Sequence, residues 1–334
     1  MKLDANLPPT PLGPVPAIAE LAEDIGFDAL WASETQHDPF LPLALVAEHT
    51  SHIRFGTAIA VAFGRSPTTI AYSSWDLAEA SSGRLILGLG TQVRAHIERR
   101  FGMPWPESPV GRFRELIGAV RALWHCWQNG ERLNYRSDHY KLTLMSPFFN
   151  PGPIKHPDIP IYLAGVNTGL CRLAGEIADG FHVHPYHSPQ YLAEVIRPAI
   201  AEGAERSGRS MDALSIAAPV FVVTEPGERD FIRAQIGFYA STPTYRPVMA
   251  HHGWGETADQ LLELSKRGGW MEMHNLITDD MLETFAVVAP AEELAGALKE
   301  RYQGLADRLT LYLPFIPGDR DDFWRQLAAE MKEA

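Results

Sequence analysis

Three clusters of polar residues in this chain have the types and spacing for acid–base or ligand-binding chemistry. The first, SETQHDP at residues 33–39, places two carboxylates, an amide and an imidazole within a few positions. Histidine titrates near neutral pH and is the most frequent general acid or base. His37 and Glu34 are therefore candidates for proton transfer. The same run also fits the start of a helix, with Asp38 as the N-cap before Pro39.

The second cluster follows the glycine-rich run GLG at residues 88–90. Thr91, Gln92 and His96 could hydrogen-bond a heterocycle, although His96 also fits a surface position in the polar run HIERR. The two glycines suggest a dinucleotide fingerprint, but Val93 stands where the third glycine is needed. We therefore reject a Rossmann-type site.

The third cluster is AGVNTG at residues 164–169. Gly165 allows a ligand to approach the backbone closely, and a helix that begins there would attract an anion to its free N–H groups. The alternative is an ordinary turn with Asn167 or Thr168 as the helix cap.

A pair of histidines, His182 and His184, has the HxH spacing of a metal site. The first predicted strand carries no histidine, the lysines avoid the strand ends, and the last strand ends without an aspartate. We therefore assign no metal ligands and keep a metal-dependent hydrolase as an alternative. The run HHGW at residues 251–254 fits a lid over a pocket or plain loop surface.

Short apolar runs alternate with amphipathic helical stretches along most of the chain, which predicts a parallel sheet covered by helices. Eight strands favour a closed (β/α)8 TIM barrel over a doubly wound sheet, and sites in such barrels lie at the carboxyl ends of strands. We expect one domain over residues 1–334, with excursions at 129–158 (including a hairpin near 133–142) and at 241–286, the latter mostly helical. The predicted strands are residues 2–7, 28–32, 53–61, 84–89, 160–163, 180–184, 214–224 and 308–313.

Composition excludes several classes of protein. The net charge is −12 and no long basic run occurs, which argues against nucleic acid or an anionic membrane as a partner. The two cysteines are far apart and form no disulfide framework or zinc motif. Neither a signal peptide nor an apolar stretch of about 20 residues is present, so we expect a cytoplasmic protein.

Four segments, in this order and spacing, resemble the luciferase-like monooxygenase superfamily, and most of all its oxidoreductases that depend on the 5-deazaflavin coenzyme F420. The segments are DALWASETQHDPF, FGTAIAVAFGRSP, SSGRLILGLGTQVRAHIERRFG and IYLAGVNTGLCRLAGEIADGF. The resemblance implies a (β/α)8 barrel with insertions, a homodimer, and a flavin or deazaflavin over the carboxyl-terminal mouth of the barrel.

The resemblance also implies where the site residues lie. In this superfamily a bulge in strand three, often with a non-prolyl cis peptide, backs the ring system, and it maps near Ala58–Ile59. The acid–base group is left open among Glu34, His37 and His96, because Glu34-Thr35 stands in place of the Asp-His pair of the sugar-phosphate dehydrogenases and Val93 in place of their carboxylate. That substrate class is therefore in doubt. The implied cofactor-binding residues are Ala58, Ile59, Thr91, Gln92, His96, Ala164, Gly165, Val166, Asn167, Gly180 and Phe181.

The leading hypothesis is hydride transfer between F420 and a small organic substrate, with His37 moving one proton and Trp254 and its excursion excluding water. The first alternative is an FMN-dependent monooxygenase that uses O2 and reduced flavin. In either case a separate F420 or flavin reductase would be a partner. The remaining alternatives are a metal-dependent hydrolase built on His182 and His184 and a barrel that binds a ligand without catalysis.

Overall fold

The computed structural model of the chain describes residues 1–333, and its strands and helices alternate as the sequence predicts. The strands are β1 Lys2–Leu7, β2 Ala29–Ala32, β3 Arg54–Thr57, β4 Ala60–Val61, β5 Leu85–Gly90, β6 Tyr135–Arg136, β7 Lys141–Leu142, β8 Ile161–Ala164, β9 Gly180–His182, β10 Ser215–Val223, β11 Ala286–Val288 and β12 Arg308–Leu311. The helices are α1 Val15–Ile25, α2 Leu41–His49, α3 Pro67–Ala80, α4 Arg94–Arg99, α5 Pro109–Asn129, α6 Thr168–Ile177, α7 Pro189–Tyr191, α8 Arg197–Arg206, α9 Arg229–Ala240, α10 Arg246–His251, α11 Gly255–Lys266, α12 Asp279–Phe285, α13 Leu294–Tyr302 and α14 Asp321–Lys332.

The strands other than β6 and β7 belong to one sheet, whose order is β11, β10, β12, β1, β2, β3, β5, β8, β9. β4 pairs with β5, and β9 also pairs with β10. Each of the eight predicted strands has a counterpart in this order, the third one being divided into β3 and β4. The (β/α)8 barrel class predicted from the alternation is confirmed.

The chain divides into two compact units. One contains residues 7–164 and 177–180, and it holds the neighbouring parallel strands β2, β3, β5 and β8. Gly56 of β3 lies opposite Trp31 of β2 and Ile86 of β5. A Cβ at Gly56 would lie 2.0 Å from the Ile86 carbonyl oxygen, so the contact between these strands requires glycine. Ser66 is the N-cap of α3, since its Oγ accepts from the Thr69 N–H at 3.1 Å.

The other unit contains residues 1–6, 165–176 and 181–334. β12 pairs with both β1 and β10, and β10 also pairs with β11. Asp4 and Arg308 form a fully buried bidentate ion pair between β1 and β12, at 2.7 and 2.8 Å. Because neither charge contacts water, each neutralises the other inside the core.

Both excursions have the predicted character, but several details differ. The antiparallel pair β6–β7 is the hairpin expected near 133–142, and α10, α11 and α12 make the second excursion mostly helical. The prediction of strand three as one continuous element is wrong, because the strand is interrupted between Thr57 and Ala60. The helical stretch between β9 and β10 consists of α7, a π-helical segment Leu192–Ile196 and α8. Helix α4 and strand β11 were not predicted.

Both cysteines are buried and free. The thiol of Cys126 donates to the Glu131 carbonyl oxygen at 3.0 Å, and burial raises its pKa. Burial likewise raises the pKa of Cys171 to about 12. Both thiols are therefore protonated at neutral pH.

Across residues 1–333, none of the helices combines the length and the apolar character that a membrane span requires.

Candidate functional site

The break in strand three is the most unusual backbone feature of the first unit. The peptide bond between Ala58 and Ile59 is cis, at the position where the resemblance places a non-prolyl cis peptide. On the side of β2, the Ala58 N–H donates to the Ala32 carbonyl at 2.8 Å, and the Glu34 N–H donates to the Ile59 carbonyl at 3.2 Å. Ala58 and Ile59 are half-buried, whereas the residues of β4 are fully buried. The bulge thus presents apolar atoms at the carboxyl end of β3.

The glycines of β5 support this bulge from the other side. Thr57 Oγ1 donates to the Gly88 carbonyl at 2.6 Å and accepts from the Gly88 N–H at 3.0 Å. A Cβ at Gly90 would lie 2.9 Å from both Cγ1 and Cδ1 of Ile59. Of the two glycines that suggested a nucleotide fingerprint, Gly90 therefore makes room for the side chain of Ile59, and Gly88 binds Thr57 through its backbone.

Glu34 belongs to a network of ion pairs that includes Arg65 and Asp38. Its Oε2 accepts from the Val61 N–H at 2.7 Å and from Arg65 Nη1 at 2.5 Å. Arg65 Nη2 donates to Asp38 Oδ2 at 2.7 Å. Burial acts to lower the pKa of the Arg65 guanidinium, but the hydrogen bonds and charges of Glu34 and Asp38 outweigh burial and raise that pKa. Asp38 Oδ1 also accepts from the Phe40 N–H at 2.8 Å, but the N-cap of α2 is Phe40, so the prediction of Asp38 as the N-cap is wrong.

The two other predicted acid–base residues, His37 and His96, are exposed, and His96 lies in α4. Thr91 is buried, and its hydroxyl donates to the Gln92 carbonyl at 3.2 Å. Gln92 has a left-handed backbone with φ of 62°, and its Oε1 accepts from the Val93 N–H at 2.9 Å. Both side chains thus stabilise the turn between β5 and α4, and their predicted binding roles remain predictions.

Residues of the predicted phosphate site precede α6 in the second unit. Asn167 Oδ1 accepts from the Leu170 N–H at 2.9 Å, as the helix-cap reading expects. A Cβ at Gly165 would lie 2.4 Å from the Leu170 Cβ, so packing alone requires glycine there. Val166 beside them is half-buried and Phe181 is fully buried. An anion at this helix start remains a prediction.

Ala164 and Gly180 are two further predicted cofactor-binding residues, and both also lie in the first unit. A Cβ at Gly180 would lie 2.5 Å from the ring of Tyr162, which requires glycine at this position. The Cβ of Ala164 would lie 3.7 Å from a Cβ at Gly90, so Ala164 borders the site of the bulge.

The histidine pair lies in the second unit. Burial lowers the pKa of both His182 and His184 to about 3, so both imidazoles are neutral at physiological pH. Nδ1 of His184 accepts from the Tyr186 N–H at 3.1 Å. Among residues 1–333, no group of three or more His, Cys, Asp or Glu side chains could hold a metal. The alternative of a metal-dependent hydrolase therefore lacks a ligand set in the described part of the chain.

A cluster of tyrosines surrounds His184, and the sequence analysis missed it. The ring of His184 lies 4.9 Å from that of Tyr239 and 4.4 Å from that of Tyr245. The Tyr239 and Tyr312 hydroxyls are 2.8 Å apart. Burial raises the pKa of Tyr245 to about 12 and also raises that of Tyr239, which keeps both phenols protonated. The cluster places the His184 imidazole after β9 and the Tyr312 hydroxyl after β12, at strand ends where barrel sites lie.

The second excursion supplies Trp254, the predicted water-excluding residue. Its ring stacks on His252 at 5.2 Å and lies 6.1 Å from the ring of Phe285. Trp254 is thus half-buried within its own unit, and its role as a lid remains a prediction.

A family model described as luciferase-like monooxygenase matches residues 3–308. The chain belongs to the luciferase-like monooxygenase family. An uncharacterized protein of Mycobacterium tuberculosis (strain H37Rv) is 45% identical over 315 residues, which are 92% of each chain. The 5,10-methylenetetrahydromethanopterin reductase of Archaeoglobus fulgidus is 27% identical and matches 84% of this chain and 83% of its own. The structure of the coenzyme F420-dependent tetrahydromethanopterin reductase of Methanopyrus kandleri superposes with a TM-score of 0.78 at 24% identity, over 98% of this chain and 97% of that one.

Within this family the resemblance read from the sequence and the barrel class are both confirmed. Enzymes of the family are oxidoreductases or monooxygenases that use F420 or a flavin.

Proposed function

We propose that this protein is an oxidoreductase that transfers a hydride between coenzyme F420 and a small organic substrate. The observation that carries the proposal is the half-buried apolar bulge at Ala58–Ile59, which is supported by hydrogen bonds on one side and by Gly90 on the other. A planar ring system needs such an apolar backing at the mouth of the barrel. The F420 enzyme named among the structural neighbours supports the choice of cofactor.

The residues present fit such a cofactor in two respects. The bulge offers apolar atoms to a planar ring, and the start of the ten-residue helix α6 offers backbone N–H groups to an anionic group. Gly165, Val166 and Asn167 would hold that anion, while Thr91 and Gln92 would border the ring. When bound, the deazaflavin supplies the hydride chemistry. His37 would give or take the accompanying proton at its imidazole, because it is exposed in the loop after β2, three residues after Glu34, whose N–H binds the bulge.

An FMN-dependent monooxygenase is the second candidate, since the family description names monooxygenases. The same bulge and helix start would serve the ring and phosphate of FMN. We further propose that the protein works as a homodimer and that a separate reductase supplies the reduced cofactor.

A titration of the purified protein with F420 and with FMN, followed by fluorescence and calorimetry, tests the proposal. We expect micromolar or tighter binding of F420 and weaker binding of FMN. Tight binding of FMN alone would move the protein to the monooxygenase class. If neither binds, the proposed function is wrong. Stoichiometric zinc or iron in the purified protein would then favour the alternative of a metal-dependent hydrolase that uses His182 and His184.

A further inference from the structure

We propose that Glu34 is a positioning residue, which with Arg65 fixes the strand-three bulge, and that it does not transfer a proton. The inference rests on the proposed function for its catalytic meaning, because the bulge is the surface on which the cofactor ring would lie. Its structural content can be tested without any cofactor.

Glu34 makes hydrogen bonds to the residues on both sides of Ala60, which directly follows the bulge. Its backbone N–H donates to the Ile59 carbonyl at 3.2 Å, and its carboxylate accepts from the Val61 N–H at 2.7 Å. A single residue after β2 thus binds one backbone group of the bulge, the Ile59 carbonyl, and one of β4, the Val61 N–H. The Val61 N–H has a charged acceptor, and hydrogen bonds to charged groups are about twice as strong as neutral ones.

The oxygen that holds the bulge has no room for a proton. Glu34 Oε2 accepts from both the Val61 N–H and Arg65 Nη1, so these two donors occupy its lone pairs. The Glu34 side chain is only 6% exposed, and that of Arg65 is 17% exposed. A proton donor needs a free path to the substrate, and Oε2 of this carboxylate is instead bound to the guanidinium.

Arg65 extends the network to a third segment of the chain. Its other nitrogen donates to Asp38 at 2.7 Å, and its guanidinium lies 5.5 Å from the centre of the Phe40 ring. Arg65 follows a 3-10 turn at Ala62–Gly64 and directly precedes the N-cap of α3. The Glu34–Arg65 pair therefore ties the loop after β2, the bulge and the turn before α3 to one another.

This geometry separates Glu34 from the two histidines that the sequence grouped with it. The side chains of His37 and His96 are exposed, whereas the Glu34 carboxylate is held by two donors. The proton of the proposed reaction therefore belongs to one of the histidines, and Glu34 determines where the ring rests.

Hydrogen–deuterium exchange of the Val61 amide in Glu34→Ala and Glu34→Gln tests the inference, with Glu20→Gln as an exposed glutamate control. We expect exchange about 10- to 100-fold faster in Glu34→Ala, because a hydrogen bond to a charged group is lost. Glu34→Gln keeps an acceptor oxygen and should recover most of the protection. F420 affinity should follow the same order, falling about tenfold or more in Glu34→Ala and recovering in Glu34→Gln.

Three results would overturn the inference. The first is unchanged Val61 exchange in Glu34→Ala. The second is a Glu34→Gln variant that binds F420 as the wild type does but has lost turnover in the way Glu34→Ala has, since that result would make Glu34 a proton donor. If Glu34→Ala does not fold, Arg65→Lys replaces it, because it keeps the charge but weakens the pairing geometry. Wild-type exchange at Val61 in Arg65→Lys is then the third.

The exchange measurement also distinguishes this inference from the proposed function. It is made on the protein without cofactor. A protein that binds neither F420 nor FMN but shows fast Val61 exchange in Glu34→Ala would refute the proposed function and leave the structural role of Glu34 intact.

Discussion

Replacing Gly90 by alanine should destabilise the protein through one identifiable contact. The added Cβ would lie 2.9 Å from two carbon atoms of Ile59, whereas carbon atoms pack at about 3.5–4.0 Å. The Ile59 side chain would have to move by roughly 0.6–1 Å, and overpacking of this kind costs about 1–3 kcal/mol. The lower backbone entropy of alanine in the unfolded chain offsets about 0.5 kcal/mol of this cost.

The double variant Gly90→Ala/Ile59→Ala isolates that contact. Ile59→Ala removes both carbon atoms that the new Cβ would meet, so the second substitution should relieve the first. We expect the two substitutions to be coupled by about 1–2 kcal/mol in the favourable direction. Gly13→Ala is the matched control, because a Cβ at Gly13 meets nothing within 4 Å.

Guanidinium denaturation of the wild type, the two single variants, the double variant and the Gly13→Ala control measures the unfolding free energies, and F420 titration reports on the bulge. We expect Gly90→Ala to lose cofactor affinity because the moved side chain of Ile59 belongs to the proposed ring backing. Stability of Gly90→Ala equal to that of Gly13→Ala would refute the reasoning, and so would strict additivity in the double variant.

Two further predictions concern histidines. His37→Ala should lower turnover of a substrate found by screening with reduced F420 about 10²- to 10⁴-fold, with stability changed by less than about 0.5 kcal/mol because His37 is exposed; unchanged turnover would remove His37 from the mechanism. Burial lowers the pKa of His182 and His184 to about 3 and that of His187 to about 4, so the unfolded chain binds more protons below pH 6.5 and stability falls as the pH falls. Each of these histidines should cost about 2 kcal/mol of unfolding free energy between pH 7 and pH 5, and a flat denaturation midpoint over that range would contradict the burial of these groups.

Much of the barrel can be predicted from the sequence because each strand is a short apolar run with turn residues beside it. The apolar run AIAVAF hides the break at Ala58–Ile59, however, since hydropathy does not change where the strand is interrupted. Only the resemblance placed a bulge there. β11 was missed because its three residues directly follow α12, without a turn residue between them.

The site was harder to predict because its contacts join distant residues. Glu34 and Arg65 are separated by 31 positions, and neither residue type signals a partner at that distance. Tyr239 and Tyr312, whose hydroxyls meet, are 73 positions apart. Local spacing did anticipate the helix cap at Asn167, because a cap and its N–H donor lie three residues apart.

Because its two cysteines are protonated and buried, the folded native chain should not react with thiol-specific reagents. A thiolate is the reactive form, so maleimide reagents should leave Cys126 and Cys171 unmodified in the folded protein. A cysteine introduced at Met271, which is 86% exposed on the second excursion, would then carry a fluorophore at a single position. Movements of that excursion during turnover thereby become visible to spectroscopy without first removing any native thiol.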